Sequence, residues 1–383
     1  GIKIFYPEQD IVDGKAIPYP WTVRGSGDNI AILDVLIVNP YQGVDFGTVP
    51  CGRHYINRLY MQPLYRGLFI DKCYDVGRIE NVHLWPFWRG DEKTMNYTKQ
   101  EGIAFIFGRT DWQFVTNCFC IAYNVGFLFT EVKDGPGNVL VTQSGSDIGP
   151  CAVRVETVQT HAGVSFSNCQ FMAGIEVLDT NTGPVKFTSC GFWPVESTTS
   201  HATLAGLGHI FFEGCHFSNW DMADQGAACI DADAGGLTVT GCDFMAPLKT
   251  QVRLGENVQA AIIAMNRFRG GLQLENSSRG DVQVGLNTGT SGLHALHDAP
   301  SDAVVYLPRG ENIERSAGWI PYTCPSTFYG LGLWAVKGDG KEYFTWHFDD
   351  VRTRKYEILV WIPDDSGKSH ATDAVYTVHH AKG

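Results

Sequence analysis

The sequence is short of charge. Asp, Glu, Lys and Arg make up only 18% of its 383 residues, acidic residues outnumber basic ones 41 to 29, and no run of Lys or Arg exceeds a dipeptide. The basic footprint that grips a phosphate backbone or an anionic membrane surface is therefore missing, and the formal net charge of −12 repels both. No apolar run reaches the roughly 18 residues needed to cross a bilayer. The chain opens on Gly1 without a charged-then-apolar leader, which reads as a processed or excised piece. Neither nucleic acid nor a membrane is expected as a partner. A Ser-centred nucleophile elbow, a Gly-rich dinucleotide fingerprint and a zinc-type CxxC pair are also absent.

What is present is apolar and aromatic. Hydrophobic residues reach 44%, with 22 Phe, 15 Tyr, 10 Trp and 43 Gly, so the chain buries a large core. Its length exceeds the roughly 150-residue domain prior by enough to predict an elongated domain plus a smaller one.

Self-similarity supplies the architecture. Short hexamers align beneath one another, among them ILDVLI (32–37), INRLYM (56–61), IENVHL (79–84), VTNCFC (115–120), VLVTQS (139–144), FSNCQF (166–171), FTSCGF (187–192), FEGCHF (212–217) and VTGCDF (239–244). Their fourth positions are Val35, Leu59, Val82, Cys118, Thr142, Cys169, Cys190, Cys215 and Cys242, continued by Asn266 and Asn287. The steps run 24, 23, 36, 24, 27, 21, 25, 27, 24 and 21 residues. Each hexamer alternates apolar with polar as a strand does, and turn residues divide each repeat further, as in 230–241. The pattern predicts an all-β chain: a right-handed parallel β-helix of about eleven coils over 1–295, then a small β-sandwich over 296–383.

Five cysteines share one column, which makes them small residues stacked in the solenoid interior rather than disulfides, whose geometry regular stacking does not supply. Eleven cysteines is an odd number, so at least one is unpaired within the chain. Many reduced thiols in a secreted protein would suit an anaerobic, bacterial habitat.

Past residue 296 the period stops. Segments 303–307, 332–336, 343–348, 355–363 and 373–380 read as antiparallel strands, with GDGK (338–341) a hairpin turn. Through KYEILVWIP and ATDAVYTVHHAKG, the stretch from Tyr343 to Gly383 resembles the golvesin or xanthan-lyase C-terminal domain. That resemblance implies an appendage of extracellular polysaccharide-acting proteins. Such domains continue beyond the point where this chain ends, so Gly383 is expected to be a truncation.

The coil spacing of about 4.8 Å nearly matches the rise of one sugar in an extended polysaccharide. Several coils carry aromatics just after the hexamer: Trp85, Phe87 and Trp88, Tyr123, Trp193 and Trp220, with Tyr41 and Tyr65 in comparable places. They are expected to form a stripe along one edge, either stacking on sugar rings or packing on one another. The carbohydrate-binding candidates are Trp85, Trp88, Tyr123, Trp193 and Trp220. The long step after Val82 holds an insertion, 88–102, expected to be a loop that walls the groove or is simply solvated.

Paired carboxylates are what glycoside cleavage needs, and a carboxylate cluster holding Ca²⁺ is what lyases of this architecture need. Candidates are Glu196, Asp221, Asp224, Asp231 and Asp233; none forms a motif, and Asp231 and Asp233 point outward on one strand face. The histidines are scattered, and His294 with His297 lacks a third ligand.

Over about 20–295 the chain resembles the pectate-lyase-like superfamily of carbohydrate-active β-helices. That implies pectin lyases, polygalacturonases, other glycosidases, phage tailspikes or non-catalytic carbohydrate-binding modules. Polygalacturonase Asn-x-Asp and Gly-His-Gly signatures and a pectate-lyase Arg-x-Pro-x-x-Arg are missing, which lowers the enzyme reading. The chain starts inside a coil and ends abruptly, as a fragment of a multidomain enzyme would, and a β-helical xylan-binding family that accompanies xylanases is similar in architecture. The expectation is a secreted, non-catalytic module without a cofactor. It binds a plant polysaccharide such as xylan and is linked to a glycoside hydrolase domain. The alternatives are a catalytic β-helix, hydrolase or lyase, and an adhesin-like solenoid.

Overall fold

A computed structural model describes residues 1–289 except 197, 198 and 248, and beyond them residues 313–317, 319–322, 332–335, 342–348, 358 and 375–379. The chain separates into two compact units, Gly1–Gly289 and Thr290–Gly383.

The first unit is a parallel β-helix of about eleven turns. The middle coils each contribute three short strands, while Ala31–Val38, Tyr55–Met61, Arg78–Leu84, Ile230–Thr240 and Val252–Ala264 are longer, and the strands pair in parallel with their counterparts one coil on. One sheet stacks Val139–Thr142 on Val164–Ser167 and then on Val185–Thr188. A second stacks Phe119–Ile121 on Gly145–Asp147. The third stacks Ile103–Phe107 on Val125–Phe129 and then on Cys151–Val155.

Inside, aromatic ladders fill the tube. Phe166, Phe187 and Phe212 stack at 5.0 and 5.1 Å, and Phe192, Phe217, Phe244 and Phe268 at 4.8, 4.7 and 4.8 Å. Such stacks add about 0.5–1.5 kcal/mol per pair beyond the area buried.

The residue before the inward column is left-handed in every coil; Ala31–Val38, Tyr55–Met61 and Arg78–Leu84 run through it, and from the fourth coil on it divides the hexamer that alternation suggested to be one strand. Asp34, Arg58, Asn81, Asn117, Gln143, Asn168, Ser189, Gly214, Gly241, Met265 and Leu286 all have φ between 49° and 65°. This conformation costs an L-residue about 1–2 kcal/mol, and Asn and Gly adopt it most readily. It bends the chain from the first sheet into the second. The next side chain turns inward and meets the carbonyl two residues back: the thiols of Cys118, Cys169, Cys190 and Cys242 each donate to that oxygen at 3.4 Å. All ten described cysteines are buried and free.

The column needs one correction. Thr142 pairs with Thr116, whereas Gly145 pairs with Phe119, so the residue opposite Cys118 is Ser144. Its hydroxyl accepts from the Cys118 amide at 3.0 Å and donates to the Thr142 carbonyl at 2.9 Å. The cysteine column therefore passes through a serine in the fifth coil.

The insertion at 88–102 is also not a loop. Glu92–Glu101 form a helix, α1, whose N-cap Asp91 accepts from the Thr94 amide at 3.2 Å. A hairpin of Ile11–Val12 and Lys15–Ala16 supplies Ile11 and Ala16 to a small cluster with Leu64 and Tyr97.

In the second unit Ile313–Arg315 pairs antiparallel with Phe344–Trp346, and Trp319–Tyr322 with Gly332–Ala335. The expected strands at 303–307 and 355–363 and the turn at 338–341 lie outside the described residues apart from Ile358, and of the expected strand at 373–380 the described residues 375–379 form no strand.

Candidate functional site

After the second strand each coil turns a corner into the third sheet, and the lengths of these corners shape the surface. Coils four, five and six turn tightly, through 122–124, 148–150 and 172–173. On one side of them the third coil makes a long excursion, 85–102, that contains α1; on the other the seventh coil's connection spans 193–201, of which 193–196 and 199–201 are described. Three short corners lie between two long ones, a stretch of edge that we call the trough.

One wall is anchored to the trough by the Asn124 side chain and amide, which donate to Gln100 and Thr98 carbonyls at 2.9 Å each. The walls meet where Lys99 Nζ on α1 reaches Glu196 Oε1 at 2.6 Å.

Register fixes what lines the adjoining sheet face. Ile121 pairs with Asp147, Cys120 with Leu84 and Phe171 with Phe192, so Trp85, Ile121, Asp147, Met172 and Trp193 share one column, exposed at its two tryptophans and buried at Ile121. Four rungs of about 4.8 Å separate the two tryptophans by about 19 Å, with Asp147 midway. Beside them runs a second outward column: His83, Phe119, Gly145, Gln170, Gly191 and His216.

Gly145 contributes no side chain next to Asp147, and a Cβ there would stand 2.8 Å from the Gln170 carbonyl oxygen. Gln170 Oε1 accepts from the Trp193 indole at 2.7 Å and holds that ring in place. At the other end the His83 ring meets Phe119, Trp85 and Phe87 edge-on at 5.1, 5.6 and 5.6 Å. Burial lowers the His83 pKa, which favours the neutral ring.

Asp147 is the electrostatic anomaly of this face. Its Oδ1 is buried and has no hydrogen-bond partner. Loss of solvent raises its pKa above the ordinary aspartate value against a backbone hydrogen bond from Ile148 that lowers it, and the negative charge of Glu196 adds to the rise. Glu196, whose negative charge contributes to that shift, is itself paired with Lys99.

The aromatic candidates divide. Trp85 and Trp193 are exposed, at 40% and 36%, and share the column. Trp88 is half-buried, packed beside the Ile11 cluster with the Arg89 guanidinium 4.9 Å from its ring.

Tyr123 and Trp220 are core residues, exposed by only 3% and 0%, and are removed from the stripe. The Tyr123 hydroxyl donates to the Pro63 carbonyl at 3.0 Å, and the Trp220 indole to the Thr250 carbonyl at 3.0 Å, with its ring edge-on to Phe244. Both lie two residues beyond the outward column, where the turning chain points a side chain in. Tyr41 and Tyr65 stack on each other at 5.0 Å under the Arg66 guanidinium.

Of the carboxylate candidates, only Glu196 stands at the trough. Asp221, 4% exposed, accepts the amides of Gln225 and Gly226 and organises the next corner, which depresses its pKa despite burial. Asp224 pairs with Lys249 at 2.8 Å. Asp231 pairs with Arg253 at 2.8 Å, in a ladder that ends on Glu275. Asp233 is exposed on the same strand. Among the described residues no three His, Cys, Asp or Glu side chains are grouped to hold a metal ion, and no helix is long and apolar enough to cross a membrane.

Sequence reading missed Asp147, Lys99, Gln170 and Phe119. The signal for Asp147 was present: with Ser144 in the column, Asp147 falls at the position held by Trp85 and Trp193.

Family models, curated proteins and solved structures offer no match to this chain, so the site is read from its own residues.

Proposed function

We propose that the chain binds a plant cell-wall polysaccharide, with xylan the first candidate, along the outward face between Trp85 and Trp193. The observation that carries this reading is the pair of exposed indoles in one column, four rungs apart, one of them held by Gln170. Flat apolar rings backed by polar groups are what sugar faces stack on, and about 19 Å accommodates about four sugar units. The net charge of −12 and the carboxyls at the trough favour an uncharged or lightly charged polymer over pectate.

On this reading the β-helix is a carbohydrate-binding relative of the pectate-lyase-like superfamily, secreted to where such polymers occur and working alongside a glycoside hydrolase. The second unit is then a golvesin-like appendage. The thiols do not require an anaerobic habitat, because the ten described ones are buried out of reach of oxidants. Affinity electrophoresis through gels of xylan, β-glucan, mannan and pectate tests the proposal. Retardation in xylan, lost on Trp85→Ala or Trp193→Ala, supports it; unretarded migration in all four gels overturns it.

A further inference from the structure

We propose that the polymer is gripped first at one end of the face, where Tyr60, Trp85 and Phe87 hold an uncharged stretch of about three sugar units, and that only longer chains engage Trp193. This grip rests on the binding reading above and deepens it, because it makes the site unequal along its length and names the ligand that each part takes.

Register builds the cluster. Tyr60 pairs with His83 and His83 with Phe119, so three rings occupy consecutive rungs of the second outward column, from coil two to coil four. Leu36 precedes them in that column and Gly145 follows, which bounds the run of rings at both ends. After His83 the chain makes a tight turn about Pro86, with the Phe87 amide donating to the Trp85 carbonyl at 2.7 Å. The turn folds Phe87 back, so that Trp85 and Phe87 both stand 5.6 Å from the His83 ring and Phe87 also meets Tyr60 edge-on at 6.1 Å. His83 touches Tyr60 at 6.4 Å and Phe119 at 5.1 Å as well, and so stands at the centre of the cluster.

His83 and Phe119 are half-buried, whereas Tyr60, Trp85 and Phe87 are 38%, 40% and 41% exposed. A single exposed ring is ordinary, but three large rings open to water within one contiguous cluster mark a surface that a ligand covers. Continuity identifies the ligand: Trp85 belongs both to this cluster and to the column that ends at Trp193, so a chain stacked on that column runs onto Phe87 and Tyr60. The rings carry no formal charge, and burial keeps His83 in its neutral form, which matches an undecorated sugar face rather than an acidic one. At the other end a single indole stands beside Gln170.

Length separates the two parts. The rungs of Tyr60 and Phe119 lie about 10 Å apart and three sugar units cover about 14 Å, whereas Trp193 is about 19 Å from Trp85. A trisaccharide seated on the cluster therefore leaves Trp193 bare, and a hexasaccharide spans both.

The test titrates the full chain by calorimetry with the trisaccharide and the hexasaccharide of whichever gel polymer retards it, xylotriose and xylohexaose for xylan, and reads the melting temperature of each variant. Tyr60→Ala and Phe87→Ala are each expected to weaken the trisaccharide about 3- to 10-fold. Trp193→Ala should leave the trisaccharide unchanged and weaken the hexasaccharide. Phe87→Leu keeps apolar bulk and removes the ring, so it should lose the same affinity at an unchanged melting temperature and keeps the test decisive if an alanine variant folds poorly.

Trisaccharide affinity that survives Tyr60→Ala, Phe87→Ala and Phe87→Leu, or that falls with Trp193→Ala, overturns the grip and leaves the binding reading standing. A hexasaccharide that binds beside a trisaccharide that does not also overturns it, since a column of even strength predicts that result. Unretarded migration in all four gels overturns both readings together.

Discussion

Lys99 and Glu196, 97 residues apart in the chain, meet at 2.6 Å and join the wall built by α1 to the wall that begins at Trp193. Both side chains are partly exposed, and such surface pairs contribute only about 0–1 kcal/mol. The pair matters for where it holds Glu196 rather than for stability. The three short corners between the walls give a regular solenoid one locally distinct place.

The two tryptophans that follow coils seven and eight should behave oppositely. Trp193→Ala is expected to weaken polysaccharide binding by about 1–2 kcal/mol and leave unfolding nearly unchanged, because its ring is exposed. Trp220→Ala removes a fully buried indole and is expected to cost about 3–5 kcal/mol. Gel retardation and denaturant unfolding of both variants separate the roles; equal loss of stability in the two would return Trp193 to the core.

Asp147→Asn should stabilise the protein at pH 7. The folded state raises the pKa of this carboxyl, so the stability tied to its proton is complete below the unfolded value of 3.8 and is lost as pH rises through the folded value. Once ionised, the wild-type group is partly desolvated and repelled by Glu196, and the amide is not. Melting temperatures at pH 7 and pH 3.5 check this: the variant should exceed wild type at the higher pH and converge with it at the lower.

The inward column tolerates cysteine where it needs more than a methyl. Asn266 accepts from the Cys242 amide at 2.9 Å and donates to the Val239 carbonyl at 2.9 Å, wholly buried. Asn266→Ala strands both groups and should cost about 2–4 kcal/mol. Asn266→Cys installs the residue that the column uses in the coils before it and should cost less. Urea unfolding of the pair decides; the opposite order would remove the capping role from this column.

The buried thiols should make the protein sensitive to alkali. Burial pushes Cys51 and Cys73 up to about 11 and Cys118 and Cys120 up to about 12, from an ordinary value of 9.0. With folded values raised, their contribution is present below pH 9 and is lost as pH climbs toward 11 and 12, because only the unfolded chain ionises freely. Melting temperature should therefore fall progressively above about pH 9. The ten described thiols should also resist a thiol reagent at pH 8 until the chain is unfolded.

The repeat, the parallel stacking and the interior cysteine column were legible in the sequence. Side chains on opposite walls of a tube must recur once per coil, and that recurrence is visible in one dimension. Trp85 and Trp193 were legible too, each three residues past its column residue. The same arithmetic failed at Asp147 because the fifth coil carries Ser144 where Thr142 looked as good a match. A register error of two left the carboxyl unaligned with the tryptophans.

Helix α1 was hidden for another reason. Only Thr94, Tyr97 and Thr98 are buried along it, so its inward face is barely apolar, and the Asp91 cap was its main sign.

Alternation within a short strand tells inside from outside, and so the sequence by itself determined the coil and the faces of its strands. A corner resets that parity, so only the path of the folded chain decided that Tyr123 and Trp220 point in. The same path brought Lys99 across three coils to Glu196 and set Asp147, without a hydrogen-bond partner for its inner oxygen, between two exposed indoles.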